Sequence, residues 1–280
     1  MSKAKMFTEI HPPGGKTPKA LLISPHGDDG QAFLDFFPEI KNDVDMDLFT
    51  SYLAIERDLG ATELAYEIAK NIDAIVFTMD YPRGIIDGGR KLSHCLRRVL
   101  PARRQKELEE KFLAIHKCSL DRLKELYKLI SDAGGIMLDI HTMASFSPEN
   151  KTIPITSDNM KEYVGQFVGA SRTKANQRRF DIITSDDDGN YLADPKVADA
   201  LASALKKNWV SYEYNVPYAA SKEFTMHQNL LASKGVCLDI PKHLLSKYHD
   251  RAEEFRLEAF EVDPARVSFF AQICLSALAI

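Results

Sequence analysis

Gly135-Ile-Met-Leu-Asp139-Ile-His141-Thr-Met143 is the stretch that decides the fold. A short, continuous apolar run bounded by a glycine pair reads as a strand covered on both faces, predicted here over 135–140, and it runs straight into a histidine. Ala20-Leu-Leu-Ile-Ser-Pro-His26-Gly-Asp28-Asp29 repeats the arrangement near the start of the chain. Open α/β sheets collect their ligands at the carboxyl ends of strands, and neutral imidazole is the commonest side-chain metal ligand. Two strand-end histidines with carboxylates beside the first make a metal-dependent hydrolase the leading expectation.

Working outward, further apolar runs predict strands at 20–24, 73–79, 180–184, 209–215 and 235–240. Helical periodicity fills 60–71, 103–132, 195–207 and 264–279. The 103–132 segment is the clearest: Leu108, Phe112, Ile115, Leu123, Leu126 and Ile130 recur at three- and four-residue steps, and Gly134-Gly135 ends it. Such alternation predicts an α/β fold, a three-layer sandwich with a mostly parallel or mixed central sheet flanked by helices. One domain spanning 1–280 is expected, with the polar, weakly patterned 144–178 as an excursion over the sheet.

The 280 residues are 45% hydrophobic, enough for a substantial core, and carry a formal net charge of −4. That charge argues against nucleic acid or an anionic membrane as a partner. No apolar run approaches the ~18 residues of a membrane span, and Met1-Ser-Lys-Ala-Lys-Met-Phe7 lacks a signal-peptide core. Cys95, Cys118, Cys237 and Cys274 show no Cys-x-x-Cys spacing and read as free thiols in a reducing cytosol, so a cytoplasmic location is expected.

His26, in Ser24-Pro-His-Gly-Asp-Asp29, sits where small, turn-forming neighbours expose its ring, and Asp29 follows at an offset that lets one loop offer two donors. Asp139 and His141 fall on the same side of an alternating strand, so Asp139 is either an orienting partner of the imidazole or a ligand itself. Glu56 and Asp58 precede the 60–71 helix, where Asp58 would cap it, or either would complete a site of two histidines and one carboxylate. Asp80-Tyr-Pro-Arg83-Gly-Ile-Ile-Asp87-Gly-Gly-Arg90 places two guanidinium forks around an aspartate after a strand. Asp239 stands late in an apolar strand and Glu213 in a neighbouring one, each a general-base candidate. His116, at the edge of the long helix's apolar face, reads as a packing histidine with a substrate contact as the other option. The Asp186-Asp-Asp-Gly-Asn190 string lacks EF-hand spacing and reads as a solvated turn.

Taken in order, these motifs resemble the N-formylglutamate amidohydrolase family, whose fold is similar to that of the zinc carboxypeptidases. Ser24-Pro-His26-Gly resembles its opening metal-binding turn, and Glu56-Arg-Asp58-Leu-Gly-Ala-Thr-Glu-Leu64 its acidic segment. Tyr81-Pro-Arg83 with Asp87-Gly-Gly-Arg90 resembles its Tyr-Ser-Arg and Asp-Leu-Asn-Arg signature, and Leu138-Asp-Ile-His141-Thr-Met143 its Asp-x-His-Ser-Met strand end. His116 on the long helix, Asn215-Val-Pro-Tyr218 and Cys237-Leu-Asp239-Ile240 complete the likeness, which covers about 20 to 245. Gly89 stands where the family has asparagine, and Asp239 where it has a late glutamate.

The resemblance implies a phosphorylase/hydrolase-like fold and a zinc-dependent amidohydrolase that cleaves an N-acyl, formyl-type amide of a small carboxylate-bearing amino-acid derivative. One Zn²⁺ would be held by His26, His141 and one of Asp58, Glu56 and Asp29. Asp239, Arg83 and Glu213 would be catalytic. Arg90, Asp87, His116, Asn215 and Tyr218 would bind substrate. Rival readings are a carboxypeptidase-like peptidase, a non-catalytic anion-binding protein that kept the fold, and a two-metal phosphoesterase.

Overall fold

The computed structural model describes residues 5–148, 155–248 and 260–279. The chain runs through β1 (Phe7–Ile10), β2 (Ala20–Ser24), α1 (Gln31–Phe36), α2 (Met46–Glu56), α3 (Ala61–Ala69) and β3 (Ala74–Met79). The long α4 (Ala102–Asp132) leads to β4 (Ile136–Met143), followed by α5 (Met160–Thr173), β5 (Phe180–Ile183), α6 (Pro195–Lys207), β6 (Tyr212–Tyr214), α7 (Thr225–Ala232) and β7 (Gly235–Pro241). A small pair, β8 (Ser246–Tyr248) and β9 (Phe260–Val262), precedes α8 (Pro264–Leu278).

Seven strands form one sheet in the order β1-β3-β2-β4-β7-β5-β6. Its centre, β3, β2, β4 and β7, is parallel, while β1 and β5 join it antiparallel. Every residue of β2, β3 and β7 is buried, as the unbroken apolar runs require. The α3 crossover moves one way along the sheet and the α4 crossover moves back past β2. Right-handed crossovers in opposite directions put the two helices on opposite faces. Helix α7 packs beside α4, and α8 packs on both α3 and α6, which makes three layers. Full burial of Leu21, Ile23, Leu138 and Ile140 stabilises this core by about 1.5–3 kcal/mol per side chain.

That reversal is a topological switch point. Loops leaving the carboxyl ends of β2 and β4 diverge there and open a crevice, where ligands bind in such sheets. His26 lies just past β2 and His141 near the end of β4, so both flank it.

Of the stretch expected as an excursion, 149–154 lie outside the described residues, and Tyr163 in the described remainder donates to Glu56. That remainder contains α5, whose Met160, Tyr163, Phe167 and Ala170 face inward and pack on α2, while Gly165 and Gly169 dilute the apolar pattern. No helix among the described residues is long and apolar enough to cross a membrane.

Candidate metal centre

Three side chains from three segments converge in the crevice: His26, Asp58 and His141, all buried. Asp58 arrives there because α2 ends at Glu56 and the chain then runs extended, its Asp58 N–H donating to the His26 carbonyl at 2.9 Å. It does not cap the next helix. Gly60, at φ +89°, takes that position, where a Cβ would meet Leu245 Cβ at 2.9 Å. Buried Lys242 fixes the end of α2 from below, its Nζ donating to the Ala54 and Ile55 carbonyls at 3.2 and 2.7 Å. Burial pulls that lysine down to about 8.

The facing atoms are His26 Nδ1, His141 Nδ1 and Asp58 Oδ2. They stand 3.2, 3.2 and 3.1 Å apart, an almost equilateral triangle. A tetrahedral ion with bonds of about 2.0 Å spaces its ligand atoms by roughly 3.3 Å, so the residues present fit a small divalent cation. Each imidazole is backed on its other nitrogen by a carboxylate. His26 Nε2 is 2.9 Å from Asp87 Oδ1, and His141 Nε2 is 3.1 Å from Asp139 Oδ1, an ion-pair distance not aligned as a hydrogen bond. The Gly89 N–H also points at His26 Nε2 and at Asp87 Oδ1, 2.8 and 3.1 Å away, so both groups hold the back edge of the ring and Nδ1 faces the centre. Two imidazole nitrogens and a carboxylate oxygen within 3.2 Å of one another need a cation or a proton between them.

Burial opposes ionisation of Asp58, but the imidazoles of His26 and His141, together with Arg83, outweigh it and hold the carboxyl below the usual range. For His141 burial is likewise overcome, by Asp139 and Asp58, and its pKa is pushed well above the ordinary value.

A cage of arginines surrounds the second carboxylate. Asp87 Oδ2 accepts from Arg97 Nη2 at 2.7 Å and Arg90 Nε at 3.1 Å, and Arg83 Nε lies 3.9 Å away. Burial would raise Asp87, yet Arg97, His26 and Arg83 keep it well below the usual range. Arg83 also donates to Asp58 Oδ1 at 3.4 Å, and its Nε has no hydrogen-bond partner among the described residues. Glu56 faces Arg83 and Arg97 at 3.7 and 3.9 Å and accepts from the Tyr163 hydroxyl of α5. It lies outside the triangle.

Directly across from His141 in the β4–β7 register stands Asp239, buried, with Oδ1 unpaired among the described residues. Burial first, then the Asp58 charge, pushes it up to about 6, against the opposing pull of His141, Arg178 and Arg83. In the next register pair Asp239 faces Asp181 of β5, fully buried and raised by burial to about 7.

Other sequence candidates lie elsewhere. Asp29 is exposed and caps the turn at Gln31 N, 2.9 Å away. Glu213, on edge strand β6, pairs with Arg179 at 2.9 Å. His116 accepts or donates at Tyr81 OH, 2.9 Å, and meets the Arg90 carbonyl at 2.7 Å, so it buttresses the arginine loop. Asn215, at φ +55°, accepts from the Thr184 and Ser185 amides at 2.8 and 2.9 Å and ties the β6 exit to β5. The Tyr218 hydroxyl accepts from Arg178 Nη1 at 3.2 Å. Asp186 forms a closed turn with Asn190, as a solvated turn would.

Periodicity did not disclose Arg97, Arg178, Asp181, Lys242, or the pair Tyr127 and Asn229. Asn229 Nδ2 donates to Asp139 Oδ2 at 2.6 Å while its Oδ1 accepts from the Tyr127 hydroxyl, which extends the support of His141 into α7 and α4. Apart from Arg178 and Asp181 at the start of β5, they come from separate segments, so no local spacing joins them.

Neither a protein-family profile nor a curated protein matches the chain. Solved structures do. A gene product of Agrobacterium tumefaciens superposes with a TM-score of 0.62 at 15% identity, over 99% of this chain and 96% of its own. N-formylglutamate amidohydrolase from Ralstonia eutropha superposes with a TM-score of 0.62 at 15% identity, over 98% of this chain and 96% of its own. The chain has their fold. At that identity the likeness fixes the backbone architecture and leaves the chemistry to the residues themselves.

Proposed function

We propose that the protein is a zinc-dependent amidohydrolase of the N-formylglutamate amidohydrolase type, cleaving an N-acyl, formyl-type amide of a small carboxylate-bearing amino acid. The observation that carries this reading is the triangle of His26 Nδ1, His141 Nδ1 and Asp58 Oδ2 with the buried, unpaired Asp239 beside it. Two imidazoles and one carboxylate are the donor set of catalytic zinc sites that keep a position for water. The fold shared with an N-formylglutamate amidohydrolase supports the substrate class.

Zinc bound there supplies a lowered pKa to a water and positive charge to the scissile carbonyl. Asp239 accepts the proton from the attacking water at Oδ1 and returns it to the leaving nitrogen as the C–N bond breaks, giving the acid and the free amine. Its raised pKa suits it to both halves of that transfer. Arg83, whose Nη1 donates to Asp58 Oδ1 at 3.4 Å, donates to the carbonyl oxygen as it becomes an oxyanion. Asp87 and Asp139 stand behind the two rings and support their orientation toward the ion's position.

Metal analysis of purified protein, paired with turnover of formyl-, acetyl- and peptidyl-amino acids, tests the reading. About one zinc per chain, lost in a folded His141→Ala variant together with amide hydrolysis, is expected from a site with these three ligands. Full turnover in that variant, or wild-type protein that neither retains zinc nor cleaves any amide when zinc is added, refutes it.

A further inference from the structure

The arginines expected to hold the substrate carboxylate are already engaged. Arg90 is bonded to Asp87, lies 3.4 Å from Glu223 and stacks on Phe224 at 4.8 Å. Arg83 and Arg97 share Asp87, Glu56 and Asp58. Arg178 differs. It leads into β5, half-buried, and among the described residues it forms no ion pair with a carboxylate. Its Nη1 donates to Tyr218 OH at 3.2 Å and contacts Met143 Sδ at 3.3 Å, and its Nη2 donates to Ser147 Oγ at 3.2 Å. The Tyr218 ring lies under the guanidinium at 5.5 Å. Every hydrogen-bond partner among the described residues is neutral, so the guanidinium is held in a fixed orientation with no carboxylate bonded to it there.

The position is also right. Met143 ends β4 two residues after His141, and its Sδ lies 3.3 Å from Arg178 Nη1, which sets the guanidinium at the site end of that strand. A planar fork held by two hydroxyls and an aromatic face, at the rim of a hydrolytic centre, matches a carboxylate in bidentate geometry.

We propose that Arg178, oriented by Tyr218 and Ser147, is the anchor for the carboxylate of the substrate, a specificity-determining residue that replaces the grip expected of Arg90. The assignment rests on the hydrolase reading for the nature of the substrate. The probe for it is a simple dicarboxylate, so binding is read without turnover.

Glutarate binding is measured by calorimetry on the full, metal-loaded chain for wild type, Arg178→Gln, Arg178→Lys and Arg179→Gln. Loss of a charge-assisted contact is expected to weaken binding by about 10–100-fold in Arg178→Gln, with partial recovery in the lysine variant. Arg179→Gln, exposed and paired with Glu213, leaves binding unchanged. In hydrolysis, Arg178→Gln raises KM for a free acyl-amino acid but not for its neutral carboxamide. A merely structural role would lower turnover of both. Equal glutarate affinity in wild type and Arg178→Gln overturns the anchor, as does no glutarate binding by wild type. Amide hydrolysis with KM unmoved removes the anchor and leaves the hydrolase reading standing. Arg178-dependent glutarate binding without hydrolysis of any amide does the reverse.

Discussion

Replacing Asn229 with leucine tests whether the support behind His141 governs metal binding. Asn229 lies on α7, far from the triangle in sequence and separated from it by Asp139. Its Nδ2 donates to Asp139 Oδ2 at 2.6 Å, and the other carboxylate oxygen stands 3.1 Å from His141 Nε2. Asn229→Leu keeps the volume and removes the donor. Among the described residues Asp139 then retains only the weak Cys237 thiol contact at 3.7 Å on that oxygen. A hydrogen bond to a charged group contributes about 1.5–3 kcal/mol, which bounds the loss. Outer partners of metal-binding histidines characteristically cost about 10–100-fold in metal affinity when removed, within the same range. Zinc affinity, read by competition with a chromophoric chelator, should therefore fall by about 10–100-fold. Tyr127→Phe, which removes the bond to Asn229 Oδ1 one step further out, should give a smaller loss in the same direction. Native zinc affinity in a natively folded Asn229→Leu protein would refute the argument. So would a larger effect from Tyr127→Phe than from Asn229→Leu.

Three further outcomes are expected. Asp239 must be deprotonated to accept a proton, so kcat/KM should fall on the acid side below pH about 6, and a rate flat from pH 5 to 7 would remove it as the base. Asp181 is raised by burial from 3.8 to about 7, so the stability of its protonated form is fully present below pH 3.8 and is lost as pH rises through about 7. Asp181→Asn should therefore stabilise the protein at pH 8, by at most about 4 kcal/mol, and little at pH 4, and an equal gain in thermal melting at both values would contradict this. Gly89→Ala should weaken zinc binding by about tenfold or more, because the new Cβ would stand 2.7 Å from His26 Cε1, and unchanged chelator competition would show that the ring can move aside.

Much of the architecture was legible because the central strands are buried on both faces. Continuous apolar runs mark β2, β3, β4, β5 and β7 to within a residue or two at most ends, with β4 running to Met143. The same physics hides the edges. Edge strand β1, Phe-Thr-Glu-Ile, is half exposed and too short and mixed to stand out, and only 212–214 of the expected 209–215 pair as β6. Helix α2 was missed for the opposite reason. Phe49, Tyr52, Leu53, Ile55 and Glu56 bury a wide face between the sheet end and α5, so no narrow apolar stripe signals it.

The site divides along a similar line. Both histidines announce themselves by following strands, but the choice among Asp29, Glu56 and Asp58 turns on one backbone bond from Asp58 to His26, which no spacing encodes. Gly89 joins the two levels. Where the resembling family has asparagine, this chain has no side chain, and the His26 ring fills the space a Cβ would need. The Gly89 amide points between His26 Nε2 and Asp87 Oδ1, at 2.8 and 3.1 Å, so the backbone itself closes the support behind the His26 ring. Arg90 follows immediately and is drawn to Asp87, Glu223 and Phe224. The segment that seats His26 thus also carries an occupied Arg90, and the proposed grip on a substrate carboxylate passes to Arg178.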